Sequence, residues 1–515
     1  MLPQKSFSAS LTGTGYTSYG PHPFIVQVRD LETHQPLPGI AVGDIGPKYG
    51  YASMDNAYML FDNFRIPHSS FLSRYAEVDP ATGTYSKPSN PAVVYGSLTY
   101  VRANIVMHAR LVLARAVTIA VRYLSIRHQF RSRDSSSPTG PEESVLNYPT
   151  VQIRILPLLA TTFALHYTGQ AMSRLYTRTR RGISQGSFSH LADLHSTSSG
   201  LKSLCTTLAA DGIETCRRAM GGHGYGGGSG LIQLNADYLS KVTVEGDNWM
   251  ITQQTAAHLI KNVSAALEDP AAKASDATDA NIKNFLKTRQ YSDKENKFDI
   301  LNSDKAIVDA FRFRAAFLAV QAHEERTVKK KSWNSMLVQL HALSNAHSQG
   351  LLVENFYNAL YPDSAASPSS APSSKSSSNE RPIPTLALPI LKNLFRLFAL
   401  TTLLCSPSAL EFLHSGCVSL AQLAALPTRI QGLMAEIRRH AVRLVDAWSL
   451  PDYLLDSALG RSDGRVYEEL FERASDRERN PLNGETFNPW YWKEEVVLGS
   501  GRGWDGGLLG EKGKL

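Results

Sequence analysis

The chain changes its hydrophobic rhythm near residue 97. Before that point, short β-branched and aromatic runs are broken by turn residues. Phe24–Val28, Gly39–Ile45 and Ala57–Ile66 have the composition of strands. Pro36, Pro38, Gly39, Gly43 and Gly46 punctuate them. Beyond a Pro/Ser/Gly-rich loop at 76–96, the period becomes helical. Val101, Ile105, Val112, Ala116, Ile119 and Tyr123 recur at helical spacing across Leu98–His128. Val106, Leu113, Val117 and Ala120 widen that stripe, so the predicted helix is apolar on most sides and belongs inside a bundle.

Three more helices follow. Val151–Arg178 carries Pro157 near its start, where a kink is expected. Leu191–Met220 places Leu201, Leu204, Cys205, Leu208, Ile213 and Cys216 on one face, with Gly221 as its stop. A fourth helix runs through Ile260. These lengths predict an antiparallel four-helix bundle. A polar linker is expected over 264–300. Helical patterning then returns over Ala306–Arg326, Ser335–Leu360, Leu386–Leu404, Ser419–Ala425, Thr428–Ser449 and Val466–Arg473. No internal repeat is evident. The fold class is therefore mainly α: a β-domain remnant (1–75), a first helical bundle domain (95–263), the linker, a second helical domain (301–480) and a tail (481–515).

Composition narrows the class. With 43% hydrophobic and 19% charged residues, the chain matches a globular protein large enough for two or three domains. A net charge of +7 suits an anionic substrate. The basic residues are scattered, with Lys329-Lys330-Lys331 the one short run, and no nucleic-acid partner is expected. The four cysteines form no C-x-x-C pair and no zinc spacing, so no metal is expected. The most apolar region, Leu386–Cys405, is interrupted by Pro389, Lys392 and Arg396, and no membrane span is expected.

The densest chemistry lies between Cys216 and Met250. A glycine-rich loop, Gly221–Gly230, precedes Glu245, which is followed by Gly246 and a helical run. A carboxylate at a helix start is favoured in its ionised form, and one facing a closed pocket could act as a general base. The loop contains a G-x-G-x-x-G match, but a helix precedes it where a dinucleotide fingerprint needs a strand. Asp247 and Asn248 have the character of helix caps. Arg127 reads by itself as a cation at a helix C-terminus.

The segments GGHGYGGGSG and VEGDNWMITQQ resemble the C-terminal signature of the peroxisomal acyl-CoA oxidases. Further similarity runs through YGPHPFIVQVRDLETHQPLPG, DIGPKYGYASMDNAYMLFDNFRIP, RYLSIRHQF, LHSTSSGLKSLCTTLAADGIE and LPDYLLDSALGRSDGRVYEELFE. The resemblance implies a flavoprotein with the acyl-CoA dehydrogenase type of fold. It implies FAD as cofactor, a fatty acyl-CoA substrate, O2 as oxidant and a homodimer located in the peroxisome. It makes Glu245 the base that takes the α-proton. It places Arg127, Gln129, Gly221 and Gly222 beside the flavin, partly across a subunit interface. His128 departs from the R-R-Q-F pattern usual in the family.

The second helical domain favours an oxidase over a dehydrogenase, because the dehydrogenases end soon after the E-G motif. The family also begins with a helical domain and the first part of a β-domain, which the resemblance does not find before Met1. A shortened chain is therefore expected to hold FAD poorly, and a non-catalytic dimerisation partner is the competing expectation. The ending Gly513-Lys514-Leu515 differs from S-K-L at one residue, a weak peroxisomal address.

The Ser/Pro segment 363–382 has no aromatic residue with which to offset ordering entropy. Limited proteolysis is expected to cut first near Lys375 or Arg381 and to leave two associated helical pieces. Protection of those sites in the native protein contradicts this reading.

Overall fold

The structure, a computed structural model, describes residues 19, 22–88, 96–134, 139–291, 298–362, 383–476, 478 and 480. The Ser/Pro segment and the Gly-Lys-Leu ending lie outside the described residues.

The N-terminal region is a pair of small ribbons. β1 (Ile40–Asp44) pairs antiparallel with β2 (Ala57–Phe61), Ile40 opposite Phe61 and Asp44 opposite Ala57. β3 (Glu77–Val78) pairs with β4 (Tyr85–Ser86). The strand expected at Phe24–Val28 does not form. Phe24 makes an isolated bridge to Phe71, and Arg29 one to Pro36. Two-stranded ribbons bury little, and every residue of β2 is exposed. The region docks on the helical part through Gly50 and Tyr51. A Cβ at Gly50 would collide with the Ala236 carbonyl, and the Tyr51 amide donates to the Asp237 carboxylate.

The helical part opens with α1 (Gly96–Ile126), α2 (Pro149–Ser184) and α3 (Leu191–Ala219). Two short helices follow, α4 (Gly222–Tyr225) and α5 (Ile232–Tyr238), and then α6 (Asn248–Glu268). The four long helices alternate in direction. Tyr100 near the start of α1 packs, with its ring tilted, against Tyr176 late in α2. Leu113 of α1 packs on Gly212 of α3. Thr255 of α6 donates to the Ser196 carbonyl, while Asn248 bonds Ser203. This is the up-and-down bundle that the helical period predicts. Pro157 lies within α2 without ending it.

The stretch expected to be a polar linker holds a helix, α7 (Ala277–Tyr291). Its Ile282 and Phe285 are buried, and Phe285 packs edge-on against Phe313. Two apolar residues at i and i+3 suffice to dock a helix whose remaining surface is polar.

Next come α8 (Asp304–His323), α9 (Leu337–Leu360), α10 (Leu388–Leu404), α11 (Ser408–His414) and α12 (Leu420–Arg438). Three short helices end the described chain: α13 (Ala441–Asp446), α14 (Asp452–Leu455) and α15 (Val466–Ser475). The sequence pattern divides 419–449 at Pro427. Instead α12 runs through Pro427, and the break falls after Arg438. Ser419 and Gln422 form a reciprocal capping box at its start.

The two helical segments share one core. A continuous buried cluster extends from Ala103 to Val466. Tyr167 of α2 meets Phe356 of α9, and Phe163 meets Trp448. Arg122 of α1 ties in the C-terminal motif, bonding Asp446 at 2.8 Å and the Gly460 carbonyl at 2.7 Å. Fully buried Arg314 donates to the Ala346 carbonyl and to Gln349, and lies over the Phe412 ring. α1 and the helix at 385–404 are long and apolar enough to cross a membrane, contrary to the expectation of no such stretch. In the folded chain most of their apolar side chains are core residues.

Buried His347 of α9 lines a cavity of about 370 Å³ with Asp193, Asp276 and Arg178. Burial pushes its imidazole down to about 4. The unfolded group titrates near 6.5, so as pH falls the unfolded chain takes up the proton first. Stability is therefore full above about pH 6.5 and is lost towards pH 4. The loss from this one group is about 3 kcal/mol at most. Thermal unfolding from pH 7 to pH 4 is expected to show a falling midpoint, with a shallower fall in His347→Gln. Parallel profiles for the two proteins contradict the assignment.

Candidate functional site

Glu245 occupies the turn between the short helix after α5 (Leu239–Val242) and the start of α6. It does not cap the helix. Asp247 is the N-cap and accepts from the Trp249 amide at 2.9 Å. Glu245 lies two residues upstream with φ at +58°. A non-glycine residue in this left-handed region is uncommon and costs backbone energy, so neighbouring contacts must hold it there.

Those contacts come from two helices. Arg102 of α1 donates from Nε to the Glu245 carbonyl at 3.1 Å. Lys202 of α3 donates from Nζ to the Gly246 carbonyl at 2.7 Å and to Asn248 Oδ1 at 2.8 Å. Asn248 is no surface cap. It is buried, and its Nδ2 donates to the Ser203 carbonyl, Thr206 Oγ1 and Thr207 Oγ1. Lys202 is wholly buried, and burial lowers its ammonium to about 8, with Asp247 and Glu245 acting in the opposite sense. Burial likewise lowers the Arg102 guanidinium.

One oxygen of Glu245, Oε2, is buried without a hydrogen-bond partner, as is Nη1 of Arg102. Buried polar atoms are almost always satisfied, so an orphan acceptor on this loop and an orphan donor on the helix that clamps it mark a place built to receive another group.

The other four candidates lie elsewhere. Arg127 follows the last turn of α1, and its Nη1 donates to the Tyr467 hydroxyl of α15 at 2.9 Å. Gln129 is exposed, and its backbone pairs with Glu143. Gly221, with φ at +65°, caps α4, and Gly222 is its first residue. A Cβ on Gly221 or Gly222 would meet nothing within 4 Å, so both leave backbone open to a ligand. Four further glycines of this loop divide into two kinds. Gly227 is open, whereas Gly224, Gly228 and Gly230 make room for the protein itself, against the Arg217 carbonyl, Leu470 and the Asp456 carbonyl.

The glycine loop and Arg127 belong to one cluster. Tyr123 bonds His223 Nδ1 at 2.7 Å, and the His223 ring neighbours Tyr467. Glu245 is not in it. Arg102 and Arg127 stand 25 positions apart on α1 and its extension, roughly 37 Å at ~1.5 Å per residue. Allowing for side-chain reach, Glu245 and Arg127 of one chain are separated by on the order of 30 Å. The expected site residues thus form two separate groups within a single chain. The cavity lined by His347 contains none of the five.

Lys202, Arg102 and Tyr467 escape the sequence reading. Lys202 had a signal, a lone charge beside the apolar face of Leu201, Leu204 and Cys205. Tyr467 had none, since its role depends on α15 returning to the end of α1.

A helical enzyme with a half-buried carboxylate, one oxygen of it buried and partnerless, on a clamped loop is the class that this fold and site define. The chain belongs to the acyl-CoA oxidase family. Residues 95–260 match the acyl-CoA oxidase C-alpha1 domain, and residues 303–495 match the acyl-CoA oxidase family. Peroxisomal acyl-coenzyme A oxidase 1 of Rattus norvegicus is 36% identical over 491 residues, covering 94% of this chain and 70% of the rat protein. Among solved structures, Arabidopsis thaliana acyl-CoA oxidase 1 is 35% identical with a TM-score of 0.79, covering 93% of this chain and 69% of that one. Acyl-CoA oxidase-2 of Caenorhabditis elegans, solved with FAD, ascaroside-CoA and ATP, is 32% identical with a TM-score of 0.81, covering 94% and 68%.

The two kinds of glycine give a direct test. Gly224→Ala drives a Cβ into backbone and is expected to destabilise by about 1–3 kcal/mol, the usual cost of overpacking. Gly222→Ala enters open space and is expected to leave the unfolding midpoint nearly unchanged. Equal midpoints for the two variants contradict this division.

Proposed function

We propose that this chain is an FAD-dependent acyl-CoA oxidase, converting a fatty acyl-CoA and O2 to the trans-2-enoyl-CoA and H2O2 in the first step of peroxisomal fatty-acid β-oxidation. The observation that carries the catalytic assignment is the buried, unpartnered Oε2 of Glu245. Desaturation removes a proton from the α-carbon and a hydride from the β-carbon. No side chain accepts a hydride, and FAD when bound supplies that acceptor and passes the electrons to O2.

The residues present suit such a group. Gly221 and Gly222 offer open backbone, and the Arg127 guanidinium can pair with two phosphate oxygens. Glu245 is the general base. Its loop holds the carboxylate with one oxygen uncommitted, so the α-proton meets an acceptor that need not first break a protein hydrogen bond. The proton stays on Glu245 until product leaves. Arg102 Nη1, buried and uncommitted beside the same loop, is a donor available to a polar part of the substrate.

The separation between Glu245 and the Arg127 cluster bears on assembly. A site using both groups needs two copies of the chain, with the Arg127–Gly221 end of one copy meeting the Glu245 loop of the other. The exposed Phe130, Tyr225 and Phe471 around that end are apolar surface for such contact.

Glu245→Gln keeps the shape and removes the proton acceptor. Enoyl-CoA formation per bound FAD is expected to fall by about 10²–10⁴. A rate within a factor of about three of the unmodified protein, far inside that range, removes Glu245 from the role.

A further inference from the structure

Lys202 is the least expected residue near the candidate base. An ammonium is strongly hydrated, and burying one is unfavourable unless its donors are matched. Here 0% of the residue is exposed. Its two bonded acceptors are the Gly246 carbonyl and Asn248 Oδ1, both on the turn that carries Glu245. Arg102 bonds the preceding carbonyl, that of Glu245 itself. Two successive peptide groups are therefore each held by a buried cation, from α3 and α1 respectively.

Packing between α3 and α6 does not require this lysine. Ser203 donates to the Asn248 carbonyl at 2.9 Å, Asn248 Nδ2 bonds three oxygens of α3, and Thr255 bonds the Ser196 carbonyl. What Lys202 adds is attachment of the turn. Glu245 at φ +58° and Gly246 at φ +102° are both left-handed. For a glutamate that state is intrinsically unfavourable, so a released turn relaxes to other conformers.

We propose that Lys202 is a positioning residue for catalysis: with Arg102 it clamps the carbonyls of Glu245 and Gly246 and so holds the Glu245 carboxylate in its single productive conformation. This rests on the reading of Glu245 as the base. Lys202 touches no reacting atom. It acts through the backbone on the placement of Oε2, and misplacement of a catalytic group by about 1 Å can lower a rate on the order of 10²-fold.

Lys202→Met fills a similar volume and removes every donor. In the FAD-loaded 515-residue chain, turnover per FAD is expected to fall on the order of 10²-fold, with KM changed little. The isotope effect with α-deuterated acyl-CoA is expected to rise, because proton removal becomes slower than other steps. Amide exchange across Val244–Trp249 is expected to quicken while exchange in the rest of α3 stays as it was. Combined with Glu245→Gln, the substitution is expected to add little further loss, since the lysine acts through the glutamate. Should Lys202→Met fail to fold, Lys202→Gln, which keeps an amide donor, carries the same test with a smaller effect. Unaltered turnover and exchange beside an inactive Glu245→Gln overturn the positioning role alone. An active Glu245→Gln overturns the base assignment, and the positioning role with it.

Discussion

The structure depends on the burial of α1. Ala103, Val106, Ala109, Leu113, Ala116, Ile119 and Ala120 are all fully buried, so the helix is enclosed on most sides. A helix that apolar is stable only where other elements surround it. α2 and α3 flank it, and the C-terminal motif closes over its end, with Gly460 pressed on Ile119. Its polar residues then act as ties. Arg102 reaches the Glu245 carbonyl, Arg122 gathers Asp446 and Gly460, and Tyr123 meets His223. Each tie spans more than 90 positions of sequence, so the helix brings distant segments to two fixed places.

Those two places are its two ends, and that arrangement shapes the chemistry. Glu245, the proposed base, sits by the first turns of α1, and Arg127 with the open glycines sits past the last. A rigid helix cannot bring them together. Under the proposed reading a second copy completes the site, and the exposed apolar residues around the distal end are the surface on which it would meet. The same rigidity serves Glu245. Its turn is anchored to α1 and α3, two well-buried elements, and a strained left-handed glutamate persists only where its surroundings hold it in place.

Much of this was legible from residues alone. The helical period located α3 within one residue at its C-terminal end, because Gly221 ends a strongly amphipathic run. The glycine loop and the Glu245-Gly246 pair stood out by composition and by their resemblance to a family. Local pattern failed where the partner was remote. Phe24–Val28 has strand composition, yet among the described residues its pairing amounts to an isolated bridge from Phe24 to Phe71. Residues 277–291 are polar on most sides, yet Ile282 and Phe285 find a groove against α8. Pro427 passes for a helix break, yet α12 continues through it and stays anchored by the capping box at its start.

By itself the sequence determined the helical class, the positions of the long helices and the family, since these follow from periodicity and from motifs contiguous in the chain. Only the tertiary structure decided that the two helical segments share one core. It also decided that Asn248 and Lys202 are buried around the Glu245 turn, and that Glu245 and Arg127 stand at opposite ends of a helix. The physical reason is that burial and hydrogen-bond pairing are properties of what surrounds a residue. Lys202 in α3 is 43 positions from Glu245, and nothing along the chain records that its ammonium ends on the next carbonyl.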